Sequence, residues 1–484
     1  MDKNTNAEKV PRSGGTNFSK IGIYYLIGTF FQKGIAFLTV PVFTRIMGTD
    51  DYGLINTYNS WLTIVSMFIS AALYMSLRLA FVDYRDDVEN FLASITTFAI
   101  LDGVAFCVGA VIIELIFGSS TFVFLAIICI LQAIGDAILT DLTQYYVMQY
   151  RYRIRTALMI LPQLISAILA VIVILLLQEN KYLGRIVPTA IVSTVFGIVT
   201  AINIYRKSTV PLKKEYIVYG LKISAPLILH GIALNILGSS DRIMITSIRN
   251  SAETGIYSLV YNVGMIATAL TTALDGIWTP WFIHQMDGRI SDNGEEQRNA
   301  STDKINSAFS AYLYAMTIIM IVITLIGPEI VRVLADKRYW DGISIIPPIV
   351  LANYMIFVYT FYVSVEHFYK KTFFISINTL IAAGTNIILN FIFIPQYGYA
   401  AAAYTTFTSY VVSLILHMIK SRGLDRDLFD WKKVLPPLVF VATSVVLFYV
   451  VIDMFVVRWL VAIICMWHLV IKHRDKIAGY FKKR

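Results

Sequence analysis

The stretch that decides the fold lies near the middle of the chain, where residues 216–248 read YIVYGLKISAPLILHGIALNILGSSDRIMITSI. A helix of this length crosses a bilayer core of about 30 Å, with Lys222 and Arg242 near opposite faces. Four residues share one stripe at helical spacing: Gly231, Asn235, Gly238 and Arg242. Since lipid rejects such a stripe, we predict that it faces protein or a water-filled cavity. The alternative is that Arg242 snorkels to the outer headgroups.

The composition extends this membrane character to the whole chain. Of the 484 residues 57% are hydrophobic and 15% are charged, and the mean hydropathy is +0.67. These values indicate a polytopic membrane protein. The net charge of +9 would suggest a nucleic-acid partner in a soluble protein. Here the basic residues lie in short loops between apolar runs and set the topology, so we predict no nucleic-acid partner.

The apolar runs predict an all-α protein with about fourteen transmembrane helices. They lie near 21–46, 53–80, 91–117, 121–148, 154–177, 184–205, 217–247, 254–283, 304–327, 343–368, 373–394, 399–419, 434–452 and 455–471. With the N-terminus inside, about 29 Lys and Arg residues fall on the cytosolic side and about 8 on the outer side. This bias predicts a multi-pass membrane protein with both termini in the cytosol.

The helices are predicted to form two lobes of six and a final pair. The divisions are a cytosolic tail (1–17), an N-terminal lobe (18–205), a cytosolic linker (206–216), a C-terminal lobe (217–420), helices 13 and 14 (421–471) and a basic cytosolic tail (472–484). The turn at 44–55 is similar in sequence pattern to the turn at 246–257, because each has an acidic residue two positions before a glycine. Repeats that both start inside predict parallel lobes with a cavity at their interface.

The chemistry of the chain lies in polar residues at membrane depth. No phosphate-binding loop, no His-Glu-x-x-His motif and no ATPase-sized soluble domain is found, so we predict neither an enzyme nor a cofactor. Gln32 and Lys33 lie at the middle of the first segment, and Asp102 lies near the centre of the third. Asp136 belongs to a stripe of polar residues in the fourth segment. Such residues are costly in a bilayer and usually functional.

Two interpretations of these residues remain open. In one, Lys33 pairs with Asp102 or Asp136, and the threonines of these stripes form hydrogen bonds to carbonyls of their own helices. In the other, Lys33 and Arg242 hold an anionic headgroup in the shared cavity, because their donors match phosphate oxygens.

The second interpretation needs further groups for the headgroup and for a driving ion. Gln32, Asn235 and Asn386 complete the substrate site, where Asn386 is predicted either to bond sugar hydroxyls or to join helices. A carboxylate binds Na⁺ or H⁺ as the coupling ion, with Asp136 as the first candidate. Asp102 and Asp241 are the other candidates, and His230 accompanies Asp241.

Three motifs give the chain a family resemblance. They are RIMGTDDYG at 45–53, DRIMI at 241–245 and PQYGYAAAA at 395–403. In this order they resemble the polysaccharide exporters of the multidrug/oligosaccharidyl-lipid/polysaccharide superfamily, especially the O-antigen flippases of the Wzx type. The resemblance implies a two-lobe transporter that moves an undecaprenyl-pyrophosphate-linked oligosaccharide to the outer leaflet by alternating access, coupled to an ion gradient.

The resemblance also implies roles beyond the two lobes. The last two helices resemble those that form a lipid-tail groove in peptidoglycan lipid flippases, and a polysaccharide polymerase and a chain-length regulator are the expected partners. Drug exporters of the superfamily often carry an acid in their first helix, where this chain has Lys33. This difference favours an anionic substrate over the alternatives, a multidrug/cation antiporter or a peptidoglycan lipid flippase. A major facilitator sugar transporter would carry a basic signature after its second helix, and residues 81–87 do not match it.

Overall fold

The computed structural model describes residues 34–35, 37–117, 120–291 and 295–472. Its fourteen described α-helices are α1 (Phe37–Ile46), α2 (Thr49–Ser70), α3 (Leu77–Asp83), α4 (Val88–Phe117), α5 (Ser120–Met148), α6 (Tyr152–Leu176), α7 (Lys181–Tyr205), α8 (Lys214–Ile248), α9 (Ser251–Ser291), α10 (Glu295–Leu334), α11 (Ile346–Phe368), α12 (Thr372–Leu424), α13 (Trp431–Val450) and α14 (Phe455–Lys472). Short 3-10 helices cover Leu73–Met75 and Lys337–Ile345. No strand occurs among these residues, and the predicted all-α class is confirmed.

Nine of the described helices are long and apolar enough to cross a membrane. They are α4 to α7 and α9 to α13, where the span at α11 includes the preceding 3-10 helix. α1 and α14 are shorter apolar helices. α2 and α8 are long, but both carry polar residues through their middle. The structure therefore supports a polytopic membrane protein, while the count of fourteen spans stays a prediction.

The second predicted segment, 53–80, is not one helix. α2 ends at Ser70, and Ala71 and Ala72 adopt left-handed φ values of 44° and 45°. The Ser70 hydroxyl accepts a hydrogen bond from the Ala72 amide at 3.2 Å, and the Ser224 hydroxyl of α8 donates to Ala72 O at 3.1 Å. These side-chain bonds satisfy backbone groups that a continuous helix would have paired, so they stabilise the break.

The long helix α12 is a hairpin of two helices joined at Gly398. This glycine has φ 60° and ψ −148°, a backbone conformation that other residues rarely adopt. The Asn386 amide donates to the Thr406 hydroxyl at 3.1 Å, although a straight helix would separate the two residues by about 30 Å. The two halves therefore lie side by side, in agreement with the predicted segments 373–394 and 399–419.

The contacts divide the described chain into two compact units. The first unit holds residues up to Val42 and Trp61–Ile228, and the second holds Phe43–Ser60 and Leu229 onward. The boundary falls inside α8, and residues 43–60 group with the second unit. The lobes and tails derived from the sequence differ from this division and stay a prediction.

In the first unit, the stretch between α7 and α8 is fastened to α4. The Asn90 side-chain oxygen accepts from the amides of Thr209 and Val210 at 2.7 and 2.9 Å. The Lys213 ammonium contacts the Asp87 carboxylate at 2.6 Å. This ammonium and the Tyr216 hydroxyl hold the pKa of Asp87 below its ordinary value. The predicted linker therefore follows the surface of the first unit closely.

In the second unit, a buried ion pair attaches α14 to α10. The Arg458 side chain is 0% exposed, and its guanidinium binds the Glu329 carboxylate at 2.6 and 2.8 Å. It also donates to Leu325 O at 2.7 Å. Arg332 reaches the same carboxylate from an exposed position at 3.4 Å. Both arginines therefore contact Glu329, but Arg458 is buried and Arg332 is exposed.

We expect Arg458→Met to lower the stability of the purified protein by about 3–5 kcal/mol, because it leaves a partly buried carboxylate without its main partner. Arg332→Met, the matched control, should cost at most about 1 kcal/mol, since the exposed pair is screened by solvent. Thermal unfolding in detergent measures both. Equal unfolding midpoints for the two variants would contradict this account of α14.

Candidate functional site

The centre of the candidate site is the carboxylate of Asp241, on the part of α8 that belongs to the second unit. This side chain is 1% exposed. Its Oδ1 accepts from the Asn390 amide at 2.6 Å, and its Oδ2 accepts from the Tyr257 hydroxyl at 2.6 Å and the Thr406 hydroxyl at 2.7 Å. The donors come from α9 and from both halves of α12, so three elements converge on one acid.

A second layer of amides and hydroxyls surrounds this carboxylate. The Asn386 side-chain oxygen accepts from the Ser240 hydroxyl at 3.2 Å and from the Asn390 amide at 3.0 Å. The Thr405 hydroxyl donates to the Asn390 side-chain oxygen. All these residues are buried. Asn386 therefore joins helices here, which is the simpler of its two predicted roles.

This arrangement provides the oxygen ligands that Na⁺ prefers, and a single carboxylate to balance its charge. No ammonium or guanidinium is in ion-pair contact with Asp241 among the residues that the structure describes. The cluster can therefore hold a small cation or a proton.

Arg242, the next residue on α8, has a different environment. It is half-buried, and its guanidinium donates to Gly238 O at 2.9 Å, one turn earlier in the same helix. The guanidinium carbon lies 4.5 Å from the Tyr261 ring centroid and 6.0 Å from that of Tyr257. No ion pair joins Arg242 to a described carboxylate. Tyrosine faces stabilise this cation without neutralising it, so it retains the donors that an anion would need.

Residues 43–60 pack against the start of α9 through glycine. A Cβ on Gly53 would lie 1.7 Å from Ser251 O, and one on Gly255 would lie 2.1 Å from Thr49 O. The Ser251 hydroxyl donates to the Asp50 carboxylate at 3.0 Å across the same contact. The two turns that echo each other in the sequence are therefore in direct backbone contact within the second unit. Only glycine allows this approach.

The remaining predicted site residues belong to other parts of the fold or lie outside the described chain. Asn235 lies on α8, is half-buried, and its amide donates to Gly231 O at 3.0 Å. In the first unit, Asp136 accepts a hydrogen bond from Ser193, and Asp102 is half-buried. Gln32 and Lys33 lie outside the described residues, as does the side chain of His230, so the predicted pairing of Lys33 stays open.

Three residues of this cluster are not predicted by the sequence: Tyr257 and Thr406, which donate to Asp241, and Thr405, which donates to Asn390. Tyr257 belongs to the repeated turn, and the two threonines follow Gly398 without a motif of their own. A weak signal was present, since a hairpin at Gly398 places Thr405 and Thr406 opposite Asn390 and Asn386. The position of the hairpin has to be known before this signal can be read.

Comparisons with known proteins show the family to which the chain belongs. The family model described as "Polysaccharide biosynthesis protein" matches residues 19–286, more than half of the chain. The "Lsg locus putative protein 1" of Haemophilus influenzae is 21% identical over 270 residues, which cover 54% of this chain and 65% of that protein. The match thus spans just under two thirds of that relative's length.

Two solved structures show the fold. The lipid II flippase MurJ, in an inward closed conformation, has a TM-score of 0.61 at 17% identity and covers 95% of this chain and 100% of that one. A multidrug resistance MATE family transporter of the MOP superfamily, in an inward-facing conformation, has a TM-score of 0.57 at 13% identity, with coverages of 84% and 99%. With the all-helical fold and the order of its motifs, the match identifies this chain as a member of the polysaccharide biosynthesis protein family, a multi-pass membrane protein with the transporter fold of MurJ and MATE.

Proposed function

We propose that this chain flips an undecaprenyl-pyrophosphate-linked oligosaccharide from the cytosolic to the outer leaflet of the cytoplasmic membrane by alternating access, driven by Na⁺ or H⁺. Family membership and the flippase-type fold support a membrane flippase in polysaccharide biosynthesis. The observation that carries the finer proposal is the contrast between two adjacent residues. Asp241 is enclosed by neutral donors, while Arg242 has no described carboxylate partner.

The proposed substrate needs such a protein for a simple physical reason. Sugars and a pyrophosphate cannot enter hydrocarbon, because burying unsatisfied polar groups and charge is prohibitive. Arg242 would bind the pyrophosphate through paired N–H donors, which suit phosphate oxygens. The lipid tail would stay in the bilayer, against apolar faces such as that of α14, where Ile464 and Trp467 are 65% and 66% exposed.

The coupling follows from the shared helix. A cation at Asp241 would replace hydrogen bonds that now join α8 to α9 and α12, and Arg242 is the next residue on α8. Cation binding at Asp241 would therefore alter the helix contacts that position Arg242. If a bound cation changes the affinity of Arg242 for pyrophosphate by some factor, then bound pyrophosphate changes the affinity of Asp241 for the cation by the same factor. In this account Asp241 is the coupling residue, ahead of Asp136 and Asp102.

The outer side would open by separating the glycine contact of Gly53 and Gly255. We also propose that both termini lie in the cytosol, and that a polysaccharide polymerase and a chain-length regulator receive the product. These partners would act on the outer side, where the flipped oligosaccharide becomes available.

Replacing Arg242 by alanine is expected to lower translocation of an undecaprenyl-pyrophosphate-linked oligosaccharide in reconstituted vesicles by at least about tenfold, since a charge-assisted contact contributes about 1.5–3 kcal/mol. Arg249→Ala is the control, because Arg249 is exposed and paired with Glu253. Efflux of a cationic dye is measured in parallel. Dye efflux without lipid translocation would favour a multidrug antiporter and contradict the proposal.

A further inference from the structure

A second buried polar group lies in the second unit, away from Asp241. Glu366 near the end of α11 is 0% exposed, and His417 in the second half of α12 is 1% exposed. The His417 Nδ1 lies 3.0 Å from Glu366 Oε1. The Asn378 amide nitrogen, from the first half of α12, lies 3.4 Å from the same Nδ1. Two helices of the hairpin and α11 thus enclose one carboxyl–imidazole pair.

Aromatic rings separate this pair from its surroundings. The Tyr359 ring stacks on the His417 imidazole, with centroids 5.3 Å apart and planes at 26°. The Tyr410 ring stacks on Tyr359 in turn, at 6.4 Å. A low-polarity enclosure strengthens the hydrogen bond between the pair and makes a bare charge in it costly.

The second carboxyl oxygen of Glu366 bears on whether this side chain is ionised or protonated. Oε2 is buried and has no hydrogen-bond partner in the described part of the chain. An ionised carboxylate would leave half of its charge on this unpaired oxygen, which costs far more than an unpaired neutral carbonyl oxygen. A protonated Glu366 avoids this cost, because Oε1–H donates to Nδ1 and Oε2 is then only a carbonyl.

The charged groups around the pair do not remove this cost. His367 is the next residue on α11, and Asp275 of α9 acts electrostatically on His367. On α12, Lys420 lies over the Phe374 ring at 3.5 Å, and Arg422 acts on Tyr362. None of these four groups is in ion-pair contact with Glu366 or His417. His367 also interacts electrostatically with Glu366 and His417, but no described group forms a hydrogen bond to Glu366 Oε2.

We propose that Glu366 and His417 form a proton-binding site, distinct from the Asp241 cluster, in which Glu366 holds a transferable proton hydrogen-bonded to His417 Nδ1. On release, the Oε1 proton moves to Nδ1 while the ring proton leaves Nε2 for water. The glutamate that remains then accepts from Nδ1–H. His417 lies eleven residues beyond Thr406, about 16 Å along the same half of α12. Protonation here would therefore act on the hairpin that supplies the Asp241 site. The site itself does not depend on which lipid is moved.

Infrared spectroscopy of the full chain in lipid tests the proposal. A protonated carboxyl has a carbonyl stretching band that carboxylates lack and that shifts in D₂O. We expect the wild-type spectrum at neutral pH to contain one such band that is lost in Glu366→Gln and retained in Asp241→Asn. An unchanged band region in Glu366→Gln would overturn the proposal.

A second variant provides a test that does not depend on whether Glu366→Gln folds. His417→Gln removes the imidazole acceptor, so the same band should remain but move to a different frequency. A band that does not move would show that the imidazole does not contact the carboxyl proton and would also overturn the proposal. These spectra need no transport assay. If the chain did not translocate the lipid, these spectra would still test the proton-binding site. If the spectra contradicted the proton-binding site, the proposed flippase function would be unaffected.

Discussion

Asp241→Asn should abolish cation-dependent translocation and lower cation affinity by about 100-fold or more, equivalent to about 3 kcal/mol. The substitution keeps the shape of the side chain and removes only the charge. Asn390, Thr406 and Tyr257 now surround a carboxylate that no described basic group compensates. Without that charge, the neutral oxygens cannot offset the loss of the cation's hydration shell. Cation binding to the purified protein and translocation in vesicles measure the two effects.

Asp102→Asn is the matched control for this prediction. Asp102 is also an acid in a predicted transmembrane segment, but it is half-buried and has no converging cluster of described donors. We expect its replacement to change cation affinity less than about threefold. If Asp102→Asn abolished cation dependence and Asp241→Asn did not, the coupling residue would have been assigned to the wrong unit.

Gly53→Val is the second substitution with a large expected effect. The first side-chain carbon alone would lie 1.7 Å from the Ser251 carbonyl oxygen. No rotamer change relieves this overlap, because the backbone fixes the position of a Cβ and its partner is a backbone atom. The contact between residues 43–60 and α9 therefore cannot form. We expect translocation to fall by at least about tenfold, because in the proposed cycle α2 and α9 both meet and separate.

The displacement of α2 that we expect from the loss of this contact can be measured against α8. The hydroxyls of Thr57 and Thr246 are 2.6 Å apart on neighbouring helices, so cysteines at these positions should form a disulfide. With Cys107, Cys129 and Cys465 replaced by alanine, the disulfide should form readily with glycine at position 53 and poorly with valine. Gly276→Val is the control, since a Cβ there meets nothing within 4 Å. Equal transport by the two valine variants would contradict the proposed role of the contact.

The sequence predicts the extent of the central helix well. α8 covers Lys214–Ile248, which contains the whole stretch 216–248. Hydropathy could not predict the break after Ser70, because alanines 71 and 72 are ordinary helix formers and a hydroxyl from Ser224 stabilises the break. Tertiary contacts thus override a local preference there.

The candidate site was predictable only in part, for the same reason. Helical spacing marks Asp241, Arg242 and Asn386 as polar residues in apolar segments. It cannot show that Asp241 and Asn390, 149 positions apart, share a hydrogen bond. Nor can it show that Arg242 rests on Tyr261. Long-range pairing depends on how helices pack, and a single sequence contains no direct signal of it.

The central claim is that a cation at Asp241 drives an anionic lipid headgroup held at Arg242. It is tested most directly by imposing a Na⁺ gradient, and then a pH gradient, across vesicles that contain the full chain and an undecaprenyl-pyrophosphate-linked oligosaccharide. The account predicts faster translocation with one of the gradients, and no acceleration in Asp241→Asn. The account would be contradicted if neither gradient changed the rate of translocation. It would also be contradicted if a gradient accelerated translocation by Asp241→Asn as much as by the wild type.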